Sequence, residues 1–422
     1  MMLMACSISM QAQTKKIYIP EDLRGMDLQS DTSQWSFKRS VETDDLIFMW
    51  ERGFGSDTSN PPQLDGKPMS FNLTNLRDRV QSFYTFFRDS LGFVQAPSSS
   101  SLLRGRKGYS KADQYKMMVM VNYSLDGTAY GGTYDNFIGA LWVAPNRIQD
   151  EKMNCMAHEL GHSFQLQIPA DSVGDAWGGS GFFEMTSQWI LWQVNPDWLT
   201  DENYHFEAFK QLTHKAYLHL ENIYHSPYVI QWWSDLHGRK SIAELYRQGR
   251  IGEDPVMTYK RLYGLSQQQF CDEMFRGYQH LVNFDFQHAR RETRQYACMF
   301  DTELDTTAGK WLRPRNYPEE YGFNAMLLDD KVNPNAMTFN LQLEGDQLRY
   351  GFVGITTDDE ELYSDINATR FTIPRGKKLR HLYLIVMGAP MRHCQIPMPT
   401  EDCPEPRAEL EVFPYKFQVT SD

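Results

Sequence analysis

The chain has 422 residues, of which 41% are hydrophobic and 14% aromatic, and it carries a formal net charge of −12. This length exceeds what one hydrophobic core usually serves, and the composition is that of a folded protein, so we expect two domains or a large domain with an appendage. Nucleic acid is disfavoured as a partner because proteins that bind it present basic surfaces that neutralise phosphates, whereas this chain is acidic.

The first thirteen residues, MMLMACSISMQAQ, form an apolar and small-residue stretch that is typical of a secretion signal cleaved after Ala12. We therefore predict a signal peptide over residues 1–13 and a secreted, periplasmic or cell-surface protein. The basic leading region of a signal is missing, so a frayed terminus is one alternative, and lipidation at Cys6 is another. Elsewhere no run approaches the roughly 18 apolar residues that span a bilayer, so we predict no transmembrane segment.

The next part of the chain alternates predicted strands with one helix. The apolar run Leu46–Trp50 predicts a buried strand, and apolar residues at helical spacing predict a helix from Leu76 to Leu91. Residues Tyr115–Tyr123 and Asn136–Val143 predict two further strands, separated by a glycine-rich turn at Gly131-Gly132.

A mainly helical segment is predicted from residue 146 to about residue 297. Asn146 with Gln149, and Ser266 with Gln269, have the spacing of capping boxes, in which two side chains satisfy backbone N–H groups at the start of a helix. Each pair therefore predicts a helix start.

The character of the sequence changes after about residue 305, where short apolar runs alternate with Gly, Pro, Asn and Asp. We predict strands at Thr338–Leu343, Leu348–Gly354 and Leu382–Met387. Their spacing favours a separate β-sandwich over residues 305–422, which would leave 14–304 as the first domain.

The pentapeptide HELGH at residues 158–162 carries the clearest chemical signal. His158 and His162 stand four residues apart, so on a helix both imidazoles project from one face, where they can bind zinc. Glu159 lies beside them, in the position of a general base that takes a proton from zinc-activated water. Four apolar residues form a stripe away from the histidines and predict a buried back for this helix: Met153, Ala157, Leu160 and Phe164.

Two alternatives to a zinc site remain for this motif. One is a surface helix with solvated His and Glu side chains, and the other is a site that has kept its fold and lost its metal. The strand predicted before the motif and a third ligand predicted after it favour the zinc site.

For the third ligand, the extended motif HExxHxxGxxH is excluded, because Gln165 and Ile168 stand where it requires Gly and His. A carboxylate from a following helix is the common alternative, and we predict Glu184, near the start of an apolar helix. An ordinary acidic residue at a helix N-terminus would look the same. Asp171 and Asp175 are nearer in sequence, but their loop setting makes them less rigid.

A hydrolytic zinc site also needs a donor for the oxyanion that forms during attack on a carbonyl. We predict His225 in this role, with Tyr228 and Tyr224 as alternatives, although such residues are more often structural. The strand over 136–143 can pair a free edge with an extended peptide, or it can be an interior strand.

Other classes of protein fit less well. A serine hydrolase is disfavoured because GGSG at residues 178–181 lacks the spacing of GxSxG, and the same segment lacks the lysine of a phosphate loop. A secreted glycan- or glycoprotein-binding protein with a degenerate catalytic domain remains the alternative function, because the chain is rich in aromatic residues and ends in a predicted sandwich.

Several segments resemble a family of secreted bacterial proteins regarded as metallopeptidases and catalogued as a domain of unknown function. The resemblance runs nearly end to end, through DDLIFMWERGFG, YGGTYDNFIGALWVAP, HELGHSFQ, GFFEMTSQWILWQ and LYLIVMGAP. Over HELGHSFQ and the later Glu, the chain is more distantly similar to gluzincins of the enhancin and mucinase type.

This resemblance implies an α+β fold with a zincin-like catalytic domain, in which a mixed-sheet lobe is joined to a helical lobe with the HExxH helix. It also implies zinc held by His158, His162 and Glu184, with Glu159 as the base. The expected substrate is a protein or glycoprotein outside the cell, and a glycan ligand of the C-terminal domain is a further expectation.

Overall fold

The computed structural model describes residues 14–94, 110–174, 177, 181–287, 290–333, 335–396 and 410–422. The predicted signal peptide, Asp175 and residues 178–180 lie outside these ranges. The described residues form a mixed α+β structure with eleven α-helices and three sheets, in agreement with the predicted class. Among them, no helix is both long enough and apolar enough to cross a membrane.

Two compact units divide the chain. The first comprises the described residues up to Asp89 and from Val94 to Asp171, and the second comprises Ser90–Phe93 and the described residues from Ser172 onward. The domain boundary predicted near residue 305 falls inside the second unit and stays a prediction.

The first unit contains one mixed sheet and three helices. In chain order its elements are β1 Ser40–Glu42, β2 Leu46–Trp50, α1 Leu73–Asp89, α2 Lys111–Gln114, β3 Met117–Val121, β4 Ala129–Tyr134, β5 Ile138–Val143 and α3 Asn154–Ala170. The strand order is β1-β2-β3-β5-β4. Strands β2, β3 and β5 run parallel to one another, whereas β1 and β4 are antiparallel to their neighbours. The buried residues of β2 and β3 form the centre of the sheet, as their continuous apolar runs predict.

The edge of this sheet differs from the sequence-based expectation. Gly131 and Gly132 belong to strand β4, not to a turn, and β4 is the edge strand, so residues 136–143 supply an interior strand instead. The turn lies at Asp135 and Asn136, which both have positive φ angles, of 53° and 48°. A Cβ atom at Gly131 would lie 1.8 Å from the carbonyl oxygen of Glu159, so glycine is required by the close approach of helix α3.

Helix α3 carries HELGH, and its predicted apolar stripe is buried. Phe164 packs against Tyr84 and Phe87 of α1, with ring centroids 4.9 and 5.5 Å away. The helix does not begin at the capping box predicted at residue 146. Gln149 instead donates to the carbonyl of Pro145, and the chain enters α3 at residue 154 through a residue with a positive φ angle. The predicted cap was wrong because Asn146 lies inside a short 3₁₀ helix, Pro145–Arg147, to which the Gln149 side chain is bonded.

The second unit begins with a run of helices and continues into two antiparallel sheets. Its helices are α4 Phe182–Val194, α5 Trp198–Asp201, α6 Asn203–Leu212, α7 Tyr228–His237, α8 Ser241–Gln248, α9 Pro255–Tyr263, α10 Gln267–Leu281 and α11 Arg290–Thr293. Helix α10 starts at the capping box predicted for Ser266 and Gln269, which is confirmed. Its strands are β6 Leu304–Thr306, β7 Leu312–Pro314, β8 Phe323–Leu327, β9 Thr338–Glu344, β10 Leu348–Thr356, β11 Glu361–Tyr363, β12 Arg370–Thr372, β13 Leu379–Gly388 and β14 Lys416–Ser421.

One sheet has the order β11-β10-β13-β8 and the other β12-β9-β14-β7-β6. A single apolar cluster takes side chains from both sheets, including Phe352 of the first and Phe339 and Phe417 of the second. Three of these strands, β9, β10 and β13, match the predicted positions closely. Short strands such as β6 and β12 escaped prediction because three residues give no readable alternation.

Candidate metal centre

Two histidine side chains of α3 converge on one point. The Nε2 atoms of His158 and His162 lie 3.1 Å apart, and the rings are nearly perpendicular, with an interplanar angle of 86°. Two nitrogens bound tetrahedrally to one zinc ion at about 2.0–2.1 Å would lie about 3.3 Å apart. The observed separation is therefore close to the one that a shared zinc ion needs, and it follows from the i, i+4 spacing of the motif.

The ring of His162 is oriented by a neighbour on the same helix. Its Nδ1 lies 3.0 Å from Oε1 of Gln165, whose side chain is buried. When Nδ1–H donates to this amide oxygen, the ring proton is on Nδ1 and Nε2 carries the lone pair that a metal ligand needs. Sequence reasoning used Gln165 only to exclude a third histidine. Its position three residues after His162 was the available signal for this supporting role.

Glu184, the predicted third ligand, lies in the first turn of α4 in the second unit, and its role stays a prediction. Two imidazole nitrogens and one carboxylate oxygen form a donor set that zinc accepts in catalytic sites, where a fourth position stays open. The residues therefore fit the metal that the motif implies.

Asp171, the nearer alternative, is occupied elsewhere. Its carboxylate accepts hydrogen bonds from Oγ of Ser110 at 2.5 Å and from the backbone N–H of Lys111 at 2.9 Å, at the start of α2. Burial raises the pKa of this carboxyl group, and the three hydrogen bonds that it accepts, including one from Gln167, act in the opposite direction. Asp171 thus joins α2 to the end of α3.

Glu159 lies beside the edge strand of the first sheet. Its Oε2 accepts a hydrogen bond of 2.7 Å from the backbone N–H of Gly131 in β4. The same helix is bonded to β5, because Ser163 donates to the carbonyl of Ala140 and Gln167 accepts from the N–H of Gly139. These contacts hold the helix and the edge strand in register, so the Glu159 carboxylate has a defined position.

His225 forms a second histidine pair, with His205 of α6. Their Nδ1 atoms lie 2.7 Å apart, and Nε2 of His205 is 3.2 Å from Nε2 of Gln188 on α4. Burial, with a smaller contribution from His205, lowers the pKa of His225 to about 4. His225 is therefore neutral at pH 7. Since Gln188 follows Glu184 by one helical turn, this pair is linked to the helix of the proposed third ligand.

The two tyrosines considered for the same role differ in setting. Tyr228 is only 1% exposed and packs against Trp192 and Phe209, so it belongs to the aromatic core. Burial raises its pKa well above the usual value. Tyr224 is 44% exposed, and its backbone carbonyl accepts a hydrogen bond from Gln188. Sequence reasoning missed His205 and Gln188, because no local pattern connects them to residue 225.

Comparison with known proteins identifies the family of this chain but assigns no activity to it. No curated protein matches the chain. One family model matches residues 9–421, which is nearly the whole length, and its description states that the function is unknown. The chain belongs to this family of unknown function, DUF6055.

Proposed function

We propose that this protein is a secreted zinc-dependent metallopeptidase with a zincin-like catalytic domain and a C-terminal β-sandwich. The observation that carries the proposal is the pair formed by His158 and His162, whose Nε2 atoms lie 3.1 Å apart. Two imidazole nitrogens at this separation match the needs of a zinc ion, and Glu184 is the proposed third ligand.

When bound, zinc supplies a Lewis acid that makes water more acidic and polarises a carbonyl group. Glu159 then acts as the general base, taking a proton from the attacking water and returning it to the leaving amine. The hydrogen bond from Gly131 to one carboxylate oxygen orients the Glu159 carboxylate for this transfer. His225 donates a hydrogen bond to the substrate oxygen as negative charge develops there.

Peptide recognition is proposed at the outer edge of strand β4, which among the described residues pairs with β5 alone. An extended substrate can add to this edge by backbone hydrogen bonds, which hold peptides of different sequence. Glu159 contacts the same strand at Gly131, so a peptide bond held there would lie next to the proposed base. The proposed substrates are proteins or glycoproteins outside the cell, consistent with the N-terminal stretch typical of a secretion signal.

Metal content measured by mass spectrometry tests the proposal, with Glu184→Gln compared with the wild type. We expect about one zinc per chain in the wild type and a large loss in the variant, because one of three ligands becomes a weaker neutral donor. The matched control is Glu207→Gln on α6, a carboxylate that pairs with Lys210 at the surface, which should leave zinc unchanged.

Hydrolysis of an unstructured protein substrate is the second measurement. Glu159→Gln should retain zinc and lose activity by about 10²–10⁴-fold, because only the proton acceptor is removed. A wild-type protein that binds no zinc would refute the proposal, as would full activity in Glu159→Gln. Binding of glycans that is unaffected by chelators, without hydrolysis, would support the alternative function of a binding protein.

A further inference from the structure

The contact between His205 and His225 requires a proton between the two rings. Their Nδ1 atoms are only 2.7 Å apart, within hydrogen-bond distance. Two unprotonated nitrogens would place lone pairs against each other, and two protonated ones would place hydrogens against each other. One ring therefore donates from Nδ1 and the other accepts at Nδ1.

The side chain of Gln188 decides which ring donates. Its Nε2 donates to the backbone carbonyl of Tyr224 at 3.1 Å, and a carbonyl can only accept, so this contact sets the orientation of the amide. The same Nε2 lies 3.2 Å from Nε2 of His205, which must then accept the second amide hydrogen. With Nε2 of His205 unprotonated, its ring proton is on Nδ1 and is donated to His225.

Donation in the opposite direction, from Nδ1–H of His225 to Nδ1 of His205, fits the distances less well. It would require Nε2–H of His205 to donate to Glu202, whose Oε2 is 3.5 Å away and already accepts from Nε1 of Trp198 at 3.0 Å. It would also place that N–H against the amide N–H of Gln188 at 3.2 Å. The shorter contacts therefore favour donation from His205 to His225.

His225 is left with its own ring proton on Nε2. Its ring is neutral at pH 7 because its pKa is lowered to about 4, so its Nδ1 can accept from His205. Among the described residues, no hydrogen bond involves Nε2 of His225. A neutral imidazole with a free N–H is a hydrogen-bond donor that brings no charge of its own.

We propose that His205 is a positioning residue which, together with Gln188, holds His225 as the Nε2–H tautomer, so that His225 donates to an oxygen atom of the substrate. The donor role rests on the proposed peptidase function, since Gln188 and Glu184 lie on one face of α4. The tautomer itself follows from the hydrogen bonds and does not require that function.

Nuclear magnetic resonance of protein labelled with ¹⁵N at histidine tests the tautomer. The signals of His225 are assigned by their loss in His225→Gln. At pH 7 we expect its Nε2 to carry the proton and its Nδ1 to be unprotonated. Gln188→Glu replaces the amide donor by an acceptor. This should reverse the direction of the hydrogen bond between His205 and His225 and move the proton of His225 to Nδ1. Gln193→Glu adds the same charge elsewhere on α4, where residue 193 bonds Gln231, and should leave the tautomer unchanged.

Kinetics and zinc content separate this proposal from the proposed function. His225→Gln and Gln188→Glu should lower kcat by about 10²-fold with KM and zinc content unchanged, because only a donor to developing charge is lost. His205→Asn keeps an N–H near the position of Nδ1 and should preserve both the tautomer and most of kcat.

A wild-type His225 protonated on Nδ1, or a tautomer unaffected by Gln188→Glu, would overturn the positioning role. Unchanged kcat in His225→Gln would overturn the donor role. A wild type without zinc or hydrolysis would instead refute the proposed function, while the tautomer of His225 would still be read directly.

Discussion

The molecule contains two histidine pairs that look alike in composition and differ in how their nitrogens meet. His158 and His162 come from one helix and approach through Nε2 atoms 3.1 Å apart, whereas His205 and His225 come from different segments and approach through Nδ1 atoms 2.7 Å apart. A glutamine lies beside each pair. The amide oxygen of Gln165 faces the ring of His162 in the first pair, and the amide nitrogen of Gln188 faces the ring of His205 in the second.

The glutamine beside each pair determines what that pair can bind. An amide oxygen takes the ring proton on Nδ1 of His162, so Nε2 presents a lone pair that attracts a cation. The amide nitrogen of Gln188 donates to Nε2 of His205. The ring proton of His205 is therefore on Nδ1, from which it is donated to His225. The first pair is therefore suited to a metal, and the second to donating a hydrogen bond.

The largest expected difference between the pairs is in zinc content. His158→Ala and His162→Ala should each reduce zinc from about one per chain to a small fraction, because two protein ligands do not hold the ion against dialysis. His205→Ala and His225→Ala should retain it. Mass spectrometry of the dialysed proteins makes the comparison, and loss of zinc from either of the last two variants would show that the pairs are not separate.

A smaller effect is expected for the glutamines. Gln165→Met keeps the volume of a buried side chain and removes the oxygen that orients His162, so zinc affinity should fall about 10–100-fold. Gln188→Met should leave zinc affinity unchanged. Competition with a chromophoric chelator measures both, with thermal melts as the check on folding. Equal losses of zinc affinity in the two variants would contradict this difference between Gln165 and Gln188.

The smallest effect concerns stability in acid. The pKa of His225 is lowered to about 4 from 6.5 by burial and by His205, so the unfolded ring binds a proton below about pH 6.5 while the folded ring does not. Folding therefore loses stability as the pH falls from about 6.5 to about 4. His225→Gln should remove about 1 kcal/mol of this loss, a value reduced for a half-exposed ring. Urea titrations with chelator present measure it, and an unchanged pH slope would argue against a neutral, half-buried ring.

Much of the first unit was predictable because its signals are local. The apolar run Leu46–Trp50 forms β2 as predicted, and the stripe opposite the histidines of α3 is buried. The turn predicted at Gly131-Gly132 was wrong, and of the two alternatives for residues 136–143 the structure has the interior strand. Gly131 and Gly132 have the composition of a turn, and only their contact with α3 and the sheet explains glycine within a strand.

The sequence alone sets the spacing of His158, Glu159 and His162, because a helix converts four residues of separation into one shared face. It also sets the helical and strand character of the long periodic segments. The contacts of Gly131 with Glu159, of Gln188 with His205 and of His205 with His225 follow only from the folded structure. These contacts join residues 17 to 28 positions apart, and hydrogen-bond direction depends on atoms brought together by packing, which leaves no periodic trace in the chain.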